Sequence, residues 1–116
     1  MASERRIEKI KELAREELAR IIDRELEFPA GTLVTVTRVD ISPDKRYGEV
    51  FISLLGTDPH GAFALLKKNV YHIQQILNRT LRMRPVPQIH FSLDAEELRR
   101  EGVEKSLASL KQKGEV

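Results

Sequence analysis

A helical hydrophobic period runs from Pro59 to about Arg82, and it is too long to be housed straight. Phe63, Leu66, Val70, Ile73, Leu77 and Leu81 recur at spacings of three and four residues, which stacks them on one face of a helix. A straight helix over that stretch would be about 36 Å long, whereas a compact domain of this size has a radius of gyration of only about 13 Å. The period therefore has to bend. The weakest helix formers cluster at Asn69, Val70, Tyr71 and His72, and Asn tolerates unusual backbone angles. A kink is expected at Asn69-Val70-Tyr71, with a shorter helix on either side.

Opposite the apolar face, at about 100° per residue, fall Lys68, His72, Gln75, Arg79 and Arg82. From Pro59 to Leu93 the chain holds Lys67, Lys68, Arg79, Arg82 and Arg84 and no Asp or Glu. The remainder carries 15 basic and 18 acidic residues, so a net charge of only +2 conceals a segregated positive segment. Such a segment is the electrostatic footprint of a polyanion binder, because neutralising phosphates releases counterions. An ordinary solvated helix face accounts for the charge equally well. Under the first reading Lys67, Lys68, Arg79, Arg82 and Arg84 contact phosphates and His72 lies among them, with Arg38, Lys45 and Arg46 extending the footprint around a hairpin.

The rest of the chain reads as α+β. Ile7, Ile10, Leu13, Ala14, Leu18, Ile21, Ile22 and Leu26 form the stripe of a first helix from about Glu4 to Leu26, with Ser3 as N-cap and Glu16 paired with Arg20. Pro29 and Gly31 end it. Thr32 to Ile41 has strand composition, but Val34 and Val36 share one parity while Leu33, Val39 and Ile41 share the other. A bulge near Thr37-Arg38 or burial of both faces accounts for the switch. Ser42-Pro43-Asp44-Lys45 is a turn, and Tyr47 to Leu55 is a second strand that closes an antiparallel hairpin. Asp58 (or Thr57) caps the long helical period and Pro59 opens it. Pro85 and Pro87 stop it, and Ile89, Phe91 and Leu93 alternate with polar residues in a third strand. Asp94 and Glu97 resemble a capping box for a short helix to about Glu101. Val103, Leu107 and Leu110 add a last turn or two, and residues 111–116 read as a tail. Residues 1–116 thus make one domain, structured over about 4–110.

Several chemistries find no support. Without Cys there are neither disulfides nor thiolate metal sites, and a reducing compartment fits. No apolar run spans a bilayer and the N-terminus is not a signal peptide, so a soluble cytoplasmic protein is expected. His60, His72 and His90 lack ligand spacing, so no metal is expected, and Gly56 to Gly61 lacks the Lys-Ser/Thr of a P-loop. Capping and turn formation explain Asp40, Asp44, Glu49, Asp58 and Asp94 more simply than acid–base work. No nucleophile has a recognisable base, and no cofactor is implied. Tyr47 and Phe51 share a parity that suits base stacking, although core packing of Phe51 is the simpler expectation.

The order of elements and several strings resemble the ribosome-binding factor A family, bacterial assembly factors of the small ribosomal subunit. The matching features are Arg5-Arg6, Thr35-Val36-Thr37 with Val39, Ser42-Pro43-Asp44, Val50 and Leu54, and above all Leu81-Arg82-Met83-Arg84 followed by Val86-Pro87, Phe91 and Asp94. They extend from Arg5 to about Leu110. The resemblance implies a KH-like fold of type II order, a three-stranded sheet covered on one side by helices with a bent helix pair between strands 2 and 3. It also implies a non-catalytic, monomeric cytoplasmic protein that binds the immature small (30S) subunit and its 16S rRNA and promotes late maturation. The family replaces the KH Gly-x-x-Gly loop by an Ala-x-Gly kink; the equivalent here is Asn69-Val70-Tyr71, a departure from that pattern. Two rivals stand beside this reading. One is a protein adaptor docking through the mixed-charge first helix; the other is a small enzyme using His90 or His72 with a carboxylate.

Overall fold

The computed structural model describes residues 2–94. Its elements are α1 (Ala2–Glu25), β1 (Thr32–Ile41), β2 (Tyr47–Gly56), α2 (Pro59–Lys68), α3 (Val70–Thr80) and β3 (Gln88–Leu93). The sheet has the order β1-β2-β3. β1 pairs with β2 antiparallel, and β3 lies parallel to β2, an arrangement that requires the helical crossover α2–α3 between them. Val36, Val39, Val50, Ile52, Leu54, Ile89, Phe91 and Leu93 from one sheet face join Leu18, Ile21, Ile22, Leu66, Ile73 and Leu77 from the helices in one buried cluster. The α+β class and the helix-covered sheet are as expected. The short C-terminal helix, its capping box and the tail lie outside the described residues.

The parity switch in β1 is a bulge. Val36 pairs with Ile52 and Arg38 with Phe51, so Thr37 is the extra residue. Burial of both faces is ruled out by Leu33, which is 59% exposed. The bulged Thr37 hydroxyl bonds the buried Asp94 carboxylate at 2.5 Å and lies 3.2 Å from the Phe51 carbonyl. The hairpin turn closes as its residues suggest. Ser42 Oγ donates to Asp44 Oδ1 at 2.6 Å, and that same oxygen accepts the Arg46 N–H at 3.0 Å. These two bonds, the hydroxyl's first, hold the Asp44 carboxyl below its ordinary pKa range. Lys45 takes a left-handed conformation at φ 63°.

The helical period breaks where length and propensity require. Asn69 ends α2 and precedes α3, and its N–H reaches the Leu65 and Leu66 carbonyls, both at 3.2 Å. Its side-chain Nδ2 donates to Leu65 O at 2.8 Å. Two of the carbonyls left over at the end of α2 are thereby satisfied. The kink does not use the left-handed backbone that Asn permits, because Asn69 sits at φ −103°, ψ 11°.

Four local expectations are corrected. α1 begins at Ala2, so Ser3 lies inside the helix rather than at its cap. Arg20 pairs with Glu17 at 2.9 Å, not with Glu16, since an i,i+3 partner also lies on its side of the helix. α3 stops at Thr80, which leaves Arg82 beyond it. Phe51 is outside the core: it alternates with fully buried Val50 and Ile52 and so faces the other side of the sheet, where the Arg38 guanidinium lies 3.8 Å from its ring centroid.

Candidate nucleic-acid interface

The basic side chains are held by three neighbouring pieces of chain. Lys67 and Lys68 close the last turn of α2, where positive charge also complements the helix dipole. Both are exposed, and Lys67 Nζ lies 5.6 Å from the Phe63 ring centroid. On α3, His72, Gln75 and Arg79 share one exposed face, while Ile73 and Leu77 are buried on the other. Beyond α3, Leu81 is buried to 7% exposure and acts as an anchor, from which Arg82 and Arg84 point to solvent. Arg84 Nη1 donates to the Met83 carbonyl at 2.7 Å.

The kink divides the expected stripe. Lys68 belongs to α2 and Arg82 to the segment after α3, so only the α3 residues retain a common helical face. The 11 residues of α3 place Lys67 and Lys68 about 16 Å from Arg82 along its axis. His72 stands near the kink, where its Nε2 meets Glu25 Oε1 of α1 at 2.8 Å. It thereby ties the start of α3 to the end of α1.

The hairpin splits in the same way. The Arg46 carbonyl accepts the Gln88 N–H at 2.8 Å, and Tyr47 is paired with Gln88. The turn carrying Lys45 and Arg46 is thus fastened to the segment that follows Arg84. Arg38 belongs elsewhere. It stacks on Phe51, outside the core, and pairs with Asp40 at 3.1 Å, a carboxylate that also lies 3.9 Å from Lys11 Nζ of α1. Arg79, Arg82 and Arg84 are thus carried by the end of α3 and the segment after it, Lys45 and Arg46 by the turn whose backbone is bonded to Gln88, and Lys67, Lys68 and His72 by the kink, with Arg38 apart.

Rigidity in the segment after α3 comes from a residue without a sequence signal. Gln74, half-buried on α3, bonds both Pro87 and Ile89 of the strand entry, so the loop from Leu81 to Pro87 is held at both ends. Neither histidine–carboxylate pair makes a reaction centre. His72 with Glu25 and His90 with Glu49, at 3.6 Å, both sit on open surface, and Ser92 Oγ bonds Glu49 Oε2 at 2.7 Å rather than either histidine. Among the described residues no three metal-ligating side chains come together, and no helix is long and apolar enough to cross a membrane.

Comparison with known proteins identifies the family and its fold. The family model described as Ribosome-binding factor A matches residues 6–107. A ribosome-binding factor A of Pseudomonas aeruginosa is 37% identical over 99 residues, covering 82% of this chain and 76% of that protein. That of Thermomicrobium roseum is 35% identical over 106 residues, covering 90% and 82%. The crystal structure of ribosome-binding factor A from Thermus thermophilus superposes with a TM-score of 0.65 at 26% identity, over 75% of this chain and 94% of that one. A Thermus thermophilus homology model fitted into a cryo-EM map of a 30S complex of that factor gives a TM-score of 0.62 at 28% identity, over 71% and 88%.

Proposed function

The chain belongs to the ribosome-binding factor A family, and on that premise we propose that it binds the immature 30S subunit through its 16S rRNA and promotes late maturation. The observation that supports the site is the exposure of Arg79, Arg82 and Arg84 on α3 and the loop after it, which Gln74 fastens to the entry of β3, where the Arg46 carbonyl also accepts the Gln88 N–H. Each exposed cation alone adds little. Several held at fixed spacing act together on a folded phosphate surface and release counterions in concert. Lys67, Lys68 and His72, about one α3 length away, extend the contact along the RNA. The action is non-catalytic: binding energy shifts a subunit among its conformations, so the protein needs differential affinity and no reacting group. It works in the cytoplasm, as a monomer.

The test is co-sedimentation of the purified protein with immature small subunits, mature small subunits and whole ribosomes, beside the variant Arg79→Ala/Arg82→Ala/Arg84→Ala. Small-subunit binding that weakens in the variant is the expected result. Equal binding by both proteins moves the interface away from these arginines, and binding by neither returns the function to an adaptor docking through α1.

A further inference from the structure

α1 and the segment leaving α3 enclose a groove of about 240 Å³. Ile10 and Leu13 from α1 face Leu81 and Met83 across it, and Glu17, Arg20 and Arg82 share its lining. Leu13 is 49% exposed although its neighbour Ala14 is buried to 3%. A large aliphatic side chain is thus left partly in water at the mouth of a concave apolar surface, where a covering group would gain free energy in proportion to the area removed from water.

Size and charge select the occupant. The volume falls below the roughly 300–1,000 Å³ of sites for drug-sized ligands, so it admits one flat group rather than a helix or strand. Glu17 is neutralised by Arg20 at 2.9 Å. Arg82 has no ion pair or hydrogen bond from its side chain among the described residues, and Arg79 and Arg84 flank it in sequence without an intervening acid. The mouth is therefore apolar inside and cationic outside. That is the complement of a nucleotide, whose base has an apolar face and whose phosphate is an anion. An apolar side chain from a protein would fill the same space and leave the arginines unmatched.

We infer that this groove receives a single unstacked base of RNA, covered by Leu13 and Met83, while Arg82 meets the adjoining phosphate. The inference rests on the RNA-binding reading above and deepens it: an unpaired nucleotide, and not only duplex backbone, is recognised.

The chain has two Met residues, Met1 and Met83, and no Trp. Methyl-13C-methionine labelling therefore places a reporter in the groove with a second, N-terminal signal for reference. The labelled full chain is titrated at low salt with single-stranded hexa-adenylate and with an abasic hexamer of the same sugar-phosphate length. Hexa-adenylate should move the Met83 methyl by ring-current shielding and leave Met1 in place, while the abasic hexamer binds without moving Met83. Leu13→Ser should weaken hexa-adenylate about fivefold, as expected for losing part of one half-exposed aliphatic contact, and leave the abasic hexamer unchanged. Binding of both hexamers with equal or no Met83 displacement overturns the groove assignment and spares the RNA reading. No binding by either takes both down together.

Discussion

The side-chain amide of Gln74 pairs with the backbone of Ile89: Oε1 accepts its N–H at 2.8 Å, while Nε2 donates to the Pro87 carbonyl at 3.0 Å. The amide thus occupies the place a neighbouring strand would take on the outer edge of β3. One helix residue both satisfies the edge and fixes where the arginine-bearing loop returns to the sheet.

Replacing Gln74 by Leu should consequently cost more than an average surface change. Two part-buried backbone groups lose their partners, at about 1–3 kcal/mol for leaving such groups unsatisfied. For a domain of this size each 1 kcal/mol lowers Tm by roughly 4–8 °C. Urea and thermal unfolding measure it; a Gln74→Leu variant as stable as the parent would show that water replaces the amide at no cost.

Gly56 and Gly31 face each other where the hairpin meets the turn into α2. Gly56 has φ +115°, and a Cβ there would lie 1.9 Å from the Gly31 carbonyl oxygen. Gly56→Ala should therefore destabilise by more than the about 1–3 kcal/mol of backbone strain alone. Gly31→Ala, at φ +83° with a Thr57 methyl at 3.3 Å, should stay within that range. Chemical denaturation of the two variants checks the order, and a milder effect at Gly56 would contradict the close approach.

At the hairpin turn, Asp44 ionises at lower pH in the folded protein than in the unfolded chain, whose carboxyl titrates near about 3.9. Its contribution is therefore fully present above that value and disappears as pH falls through the lower, folded value. The Arg46 amide resonance, whose N–H bonds Asp44, should titrate with a midpoint below about 3.9 and lose that titration in Asp44→Asn. A midpoint at or above the unfolded value would remove the assigned cause.

Salt dependence separates the basic groups. Arg79→Ala, Arg82→Ala and Arg84→Ala should each reduce the slope of log K against log salt for RNA binding by about one unit. Arg38→Ala should leave it unchanged, because that guanidinium is already occupied by Phe51 and Asp40. A reduced slope at Arg38 with none at Arg82 would place the RNA on the sheet.

Much of this molecule is local and hence legible along the chain. The period through Phe63, Leu66, Val70, Ile73, Leu77 and Leu81 marks a buried helical face, and its length demands the bend that Asn69 makes. The parity change between Val36 and Val39 marks the bulge, and Ser42 with Asp44, and Asp58 with Pro59, write their turn and cap in residue type. In each case the signal and the structure lie within a few residues of one another, where backbone preference and hydrophobic period act directly.

What the tertiary structure decided are the relations between distant segments. Phe51 went to the outer sheet face because β2 alternates strictly around Val50 and Ile52, and Arg38, brought opposite by the bulge, covers its ring. The single basic stripe became groups at two ends of α3, since a bend of one residue redirects everything after it. Gln74 against Ile89, Thr37 against Asp94 and the groove between Leu13 and Met83 join residues 15, 57 and 70 positions apart. No spacing rule connects such pairs. They exist because the apolar faces of three helices and one sheet must share a single core, and its packing alone sets which polar and basic groups meet outside it.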